Sequence, residues 1–197
     1  TRMDFSLRHD GGRWVVTDKG ATLLRADAVA EEPTVCAAVA DAHQRTVAYV
    51  NGIVARTTVE LSAEDSSWRD TPILRFVHRV QTETVAEGLA GTEYEGLPVL
   101  SVTAPFRRAA RLPTGAVRVR DLAGLYPYDN VLEAVLLTGG QIRAYLEHAA
   151  RYFRTVDPAA PDGDPLRWAD PQVPAYHFDT VAGIGYDIDI SLPPGGR

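Results

Sequence analysis

Hydrophobic and polar residues alternate over residues 4–16. Phe5 and Leu7 lie on one side of Asp10-Gly11-Gly12, and Trp14 and Val16 on the other, which predicts a β-hairpin turning on the two glycines. Over 33–50 the period lengthens. Val35, Val39, Ala42, Thr46 and Tyr49 recur at helical spacing behind Pro33, and Asn51-Gly52 ends the run. A second helix is expected from about Pro72 to Leu89, with Ile73, Val77, Val80 and Thr84 on one face and Gly91 as its stop.

The second half is expected to mix strands and helices. Leu97 to Thr103 reads as a short buried strand, Val117 to Arg120 as another, and Val131 to Leu137 as a strong strand. Thr138-Gly139-Gly140-Gln141 has the form of a capping box, opening a helix through Ile142, Leu146, Ala149 and Phe153. Residues 155–175 are rich in Pro and Asp and read as a long loop. Tyr176 to Ile190 is expected to give two strands around Gly183-Ile184-Gly185. The elements lack a regular βαβ rhythm, which points to α+β, a mixed sheet packed with helices.

Composition narrows the function classes. The 197 residues are 45% hydrophobic and 23% charged, a globular mix able to bury a core without staples. Cys36 is the single cysteine, which excludes a Cys-rich zinc site and leaves the redox compartment open. A net charge of −6 argues against a nucleic acid duplex as partner. No apolar run approaches the ~20 residues of a membrane span, so no membrane insertion is expected. Lys19 is the sole lysine among 20 basic residues, so an arginine here is not by itself an anion ligand. Thr1-Arg2-Met3-Asp4 and Pro193-Pro194-Gly195-Gly196-Arg197 look like cuts inside a longer protein, and an excised domain is expected.

Most catalytic signatures fail on geometry. Asp41 and His43 have the spacing of a metallophosphatase metal motif, but at i,i+2 in a helix they face different ways. His9, His43, His78, His148 and His177 share no motif, and a metal site needs at least three convergent ligands. There is no Gly-x-Ser-x-Gly elbow, nothing marks a base for Ser101, and no Gly-Lys-Ser/Thr follows Gly139-Gly140.

Two aromatic segments are more informative: Leu125-Tyr126-Pro127-Tyr128-Asp129-Asn130, and Pro174-Ala175-Tyr176-His177-Phe178-Asp179. Each ring can plug a core. Two such loops can also clamp a flat base, with Asn130 and Asp179 supplying hydrogen bonds. Arg107, Arg108 and Arg111 form either a solvated basic turn or a grip on phosphate or ribose.

Several ordered blocks carry a family resemblance. Leu97-Pro98-Val99-Leu100-Ser101-Val102-Thr103-Ala104-Pro105-Phe106 through Arg111, then Leu125 to Asn130, then Leu137-Thr138-Gly139-Gly140-Gln141, resemble the C-terminal domain of the bacterial 5′-nucleotidase family. Tyr145 to Phe153 and Tyr186-Asp187-Ile188-Asp189-Ile190-Ser191 resemble its 2′,3′-cyclic-nucleotide 2′-phosphodiesterase/3′-nucleotidase branch.

The resemblance implies an N-terminal metallophosphatase domain that holds two divalent metal ions and performs the hydrolysis. It implies a C-terminal domain that sandwiches the nucleobase of a nucleoside or nucleotide between two aromatic rings. Tyr128 matches the first ring, Asn130 the base-contacting residue, and Arg111 the arginine gripping sugar or phosphate. Ala109-Ala110 stand where that family has glycines. Tyr176 matches the second ring, with Phe178 the other candidate, and Asp179 matches a ribose ligand.

On this reading residues 1–30 are a remnant of the catalytic domain, 31–52 a linker helix, and 53–197 the nucleoside-binding domain. Its own hydrolysis, catalytic residues, metals and cofactors are expected to be none, and the parent is expected to be secreted, periplasmic or attached to the cell wall. A structural or interaction module that kept the fold without binding nucleotide is the competing class, against which both aromatic segments argue. A self-sufficient hydrolase is disfavoured by the scattered histidines.

Overall fold

The structure, a computed structural model, describes residues 1–104, 107–159 and 163–197. Pro105 and Phe106 of the first resemblance block, and Ala160, Pro161 and Asp162 of the long loop, lie outside the described residues. The chain divides into two compact units, Thr1–Ala48 and Tyr49–Arg197.

The first unit holds the expected hairpin, longer at both ends than the alternation indicated. β1 (Arg2–Asp10) pairs antiparallel with β2 (Arg13–Thr22). Asp10 faces Arg13, leaving a two-residue loop of Gly11 and Gly12, whose φ values of 54° and 88° are those a primed hairpin turn requires. α1 (Pro33–Val50) begins at its proline, and the Glu32 carboxylate accepts from the Val35 amide at 2.7 Å. None of its residues is fully buried.

The second unit is α+β, with its strands in antiparallel pairs. β3 (Ile53–Thr57) pairs with β7 (Gly115–Arg118), and β4 (Leu61–Ser62) with β6 (Arg111–Leu112). β5 (Ser101–Thr103) pairs with β8 (Thr180–Ala182). α2 spans Pro72–Leu89 as expected, with Pro72 in its first turn and Gly91 at φ 75° just beyond its end. One core forms where Ile73 and Val77 of α2 meet Ala63, Ala110, Leu112, Val117 and Leu125. A second is aromatic, with Tyr152, Phe153 and Phe178 packed against Trp168, Val173, Ile188 and Ile190.

Four expectations change. Val117 to Arg120 is not one strand: β7 stops at Arg118, because the Asp121 carboxylate accepts the Arg118 amide at 2.7 Å and caps α3 (Val119–Leu125). The strand after Leu97 is confined to Ser101–Thr103, the residues that find β8 as a partner.

Residues 131–137 form no strand, although their side chains favour one. Strand propensity is realised only when the backbone finds a ladder, and none of these seven residues pairs with a described residue. Of the two strands expected over 176–190, only β8 exists. Gly183 at φ 99° turns the chain out of the ladder, and Ile188 and Ile190 then pack onto the aromatic cluster instead.

The capping box at Thr138 is present. The Thr138 amide donates to Gln141 Oε1 at 2.8 Å and the Gln141 amide to Thr138 Oγ1 at 3.3 Å. α4 (Gly139–Ala149) then tightens into a 3₁₀ turn at Ala150–Tyr152. The long loop is tied across its neck: the Arg154 amide donates to the Trp168 carbonyl at 2.9 Å, and the Asp170 amide to the Tyr152 carbonyl at 2.7 Å.

Candidate nucleoside site

α3 positions the first aromatic segment. Its last residue, Leu125, is buried in the aliphatic core with Tyr126 packed alongside, so the chain leaves the helix from a fixed point. A tight turn follows, in which the Asn130 amide donates to the Tyr128 carbonyl at 3.1 Å. Tyr128 is 73% exposed on this turn. An aromatic ring so open is available for stacking.

The second segment separates its two rings by alternation. Tyr176 sits on a 3₁₀ turn, Ala175–His177, and is 67% exposed, with its ring tilted over His177 at a centroid distance of 4.7 Å. Phe178 is 5% exposed. It stacks on Tyr152 at 5.0 Å and 20°, and meets Phe153 edge-on at 4.9 Å and 74°. Phe178 is therefore packed in the aromatic core, one ring face on Tyr152 and an edge on Phe153.

Asp179 is anchored from α4: the Tyr145 hydroxyl donates to Asp179 Oδ2 at 2.5 Å. Burial, and then the neighbouring Asp179 carboxylate, push the Tyr145 phenol above its ordinary range, so it remains a donor at neutral pH.

Arg111 lies on β6 between two acids. Nη1 donates to Glu60 Oε1 at 2.9 Å and to Ser62 Oγ at 3.0 Å, and Nη2 to Glu64 Oε2 at 2.5 Å. These carboxylates raise the guanidinium pKa and neutralise the cation. An incoming phosphate must compete with them. Beside it, Ala110 is buried in the aliphatic core, so its methyl fills space where the resemblance has glycine. Arg108 is committed too, donating to Ser67 Oγ at 3.3 Å and to the Tyr152 hydroxyl at 3.1 Å.

The six candidates thus fall on separate elements. Tyr128 with Asn130, and Tyr176 with Asp179, are local pairs on two loops, Arg111 is on a strand edge, and Phe178 is in the core. Among the described residues, Tyr128 and Tyr176 do not stack on one another, and no three of His, Cys, Asp and Glu approach closely enough to hold a metal ion.

Sequence reasoning missed a buried polar centre. His78 projects from α2 with Nδ1 2.9 Å from Ser101 Oγ and Nε2 3.0 Å from Thr180 Oγ1. Ser101 Oγ donates on to Gln81 Oε1 at 2.5 Å, and Thr180 Oγ1 to the Thr103 carbonyl at 2.9 Å. The available signal was the i, i+4, i+7 spacing of Leu74, His78 and Gln81 along the inner face of α2. The Ser101 oxygen is turned into this network and is buried, so the His78–Ser101 pair is structural. The network backs onto a cleft of about 1090 Å³ between α2, Trp168 and residues 180–190.

Helices and antiparallel strand pairs, with aromatic residues exposed on two loops, define an α+β domain. The match of a family model described as 5′-nucleotidase, C-terminal domain, covers residues 53–197. The chain belongs to the 5′-nucleotidase C-terminal domain family. Over 97% of its length it is 28% identical to a trifunctional nucleotide phosphoesterase of Bacillus subtilis, of which it covers 14%. It is 29% identical to a 2′,3′-cyclic-nucleotide 2′-phosphodiesterase/3′-nucleotidase of Haemophilus influenzae, of which it covers 32%. A solved protein described as a 5′-nucleotidase from Staphylococcus aureus, in complex with alpha-ketoglutarate, superposes with a TM-score of 0.62. That likeness covers 97% of this chain and 35% of the other at 18% identity, and shows the fold alone. The chain therefore spans between about a seventh and a third of the length of the relatives it matches.

Proposed function

We propose that this domain recognises the nucleoside part of a substrate of a 2′,3′-cyclic-nucleotide 2′-phosphodiesterase/3′-nucleotidase that acts outside the cytoplasm. The observation that carries this reading is Tyr128. An aromatic ring stands in solvent on a turn anchored by buried Leu125, and Asn130, two residues on, would meet a base edge. Tyr176 supplies the second ring, Asp179 a ribose contact, and Arg111 the sugar-phosphate side once Glu60 and Glu64 yield. This chain's family match and the names of its longer relatives support this assignment.

Hydrolysis belongs to a separate N-terminal metallophosphatase domain, whose two divalent ions would activate water and stabilise the developing charge. The 197-residue chain alone is then inactive. Base stacking contributes about 1–3 kcal/mol per ring. Set against the fixed cost of association, two such stacks put affinity for a free nucleoside on the order of millimolar.

The test is an NMR titration of nucleoside into the wild type, Tyr128→Ala and Tyr176→Ala. Shifts centred on the two loops and lost in the variants support the reading. Shifts that centre elsewhere, or persist in both variants, overturn it in favour of a module that keeps the fold without this site. Hydrolysis of bis-p-nitrophenyl phosphate that copurifies with the chain would overturn the division of labour.

A further inference from the structure

Residues 131–137, Val-Leu-Glu-Ala-Val-Leu-Leu, are the most conspicuous conflict between local sequence and environment. The segment joins the Tyr128 turn to the capping box of α4. Val131, Val135 and Leu136 are 83%, 73% and 72% exposed. Among the described residues, none of its backbone N–H or C=O groups has a hydrogen-bonding partner. Six of seven side chains are apolar, and they occupy both alternating sets: Val131, Val135 and Leu137 on one, Leu132, Ala134 and Leu136 on the other. A strand at the surface of a sheet keeps one set polar. Apolar residues on both sets belong to an inner strand, covered on both faces.

We infer that residues 131–137 are an inner strand whose neighbouring strands are supplied by the same polypeptide from outside these 197 residues. Two observations choose this occupant over a second copy. Antiparallel pairing of two copies would satisfy one edge of each strand, and would leave the other edge and much of both apolar faces in water. The relatives matched over 97% of this chain are also roughly three to seven times as long, so each carries ample polypeptide to complete a sheet. The partner's chemistry follows from the segment: an extended run, apolar at alternate positions, with no proline in its centre and no acidic residue opposite Glu133.

The consequence reaches the neighbouring turn. Tyr128 is three residues ahead of the segment and Thr138 is the first residue after it. A strand laid beside 131–137 would hold the turn at one end and α4 at the other. The inference stands on a backbone unpaired among the described residues and needs no nucleotide binding, so it can fail or hold independently of the proposed function.

Amide hydrogen exchange resolved to single residues tests it, on the 197-residue chain and on the full-length polypeptide, with mass measured by light scattering. The expected result is fast exchange over 131–137 in the short chain, and exchange slowed at least a hundredfold in a monomeric full-length protein. Val135→Pro should abolish that slowing locally while leaving exchange in α2 and β5 unchanged, because proline removes a ladder donor. Fast exchange over 131–137 in both chains overturns the inference. So does protection in the short chain that appears only with a concentration-dependent dimer, which would assign the strand to a second copy.

Discussion

His78 Nδ1 lies 2.9 Å from Ser101 Oγ, so one imidazole ties α2 to β5, and its other nitrogen reaches Thr180 on β8. The proton count around the ring is informative. Ser101 gives its proton to Gln81 and Thr180 gives its own to Thr103, so both hydroxyls are left to accept. A ring donating at both nitrogens is an imidazolium, whereas burial favours the neutral ring. In the neutral state one hydroxyl turns its proton toward the ring.

Burial is the main influence on His78 and lowers its pKa, with the Asp70 carboxylate opposing in part. A base whose folded pKa is depressed leaves the unfolded chain binding more protons, so stability falls as pH drops below about 6.5, the ordinary histidine value, and levels off below the folded pKa. Urea melts between pH 7.5 and 5 should show this loss. His78→Gln, which keeps a donor and an acceptor, should be less stable at pH 7.5 but lack this part of the pH slope. An unchanged slope in the variant would assign the titration to another group.

Phe178 is expected to behave as core and not as ligand contact. Its truncation leaves a cavity between Tyr152 and Phe153, so Phe178→Ala should cost about 3–5 kcal/mol. Phe178→Leu should recover much of that stability and bind nucleoside like the wild type. Loss of binding in a folded Phe178→Leu protein would return the residue to the site.

Gly183 should tolerate no side chain. Its φ is 99°, and a Cβ placed there would lie 2.7 Å from Leu100 Cδ2 and 3.1 Å from the Val99 carbonyl. Left-handed strain and that contact together should destabilise Gly183→Ala by about 1–3 kcal/mol, while Gly185→Ala, with open space at Cβ, should cost less. Thermal melts of the two variants decide it.

Arg111 offers a prediction with opposite sign. Glu60 and Glu64 occupy its guanidinium, so Glu60→Gln with Glu64→Gln should free it. Affinity for a nucleoside monophosphate should then rise severalfold relative to the matching nucleoside, and the gain should shrink at high salt. Equal effects on both ligands would place Arg111 away from the phosphate.

Local chemistry was legible in the sequence wherever an element is decided by its own residues. The Gly11-Gly12 turn, Pro33 and Pro72 at helix starts, and the Thr138–Gln141 box all act within a few residues, and each is where the pattern put it. The family blocks were legible too, because ordered motifs survive in sequence. Tertiary structure alone decided what depends on partners distant in the chain. Val131–Leu137 has a strand's side chains and no ladder among the described residues, Phe178 was claimed by Tyr152 and Phe153, and Arg111 was claimed by acids 47 and 51 residues away. His78 became a hub only once β5 and β8 paired, 23 and 102 residues further along. A side chain's spacing along the chain determines which face it occupies. What it meets on that face is set by packing, which no local pattern encodes.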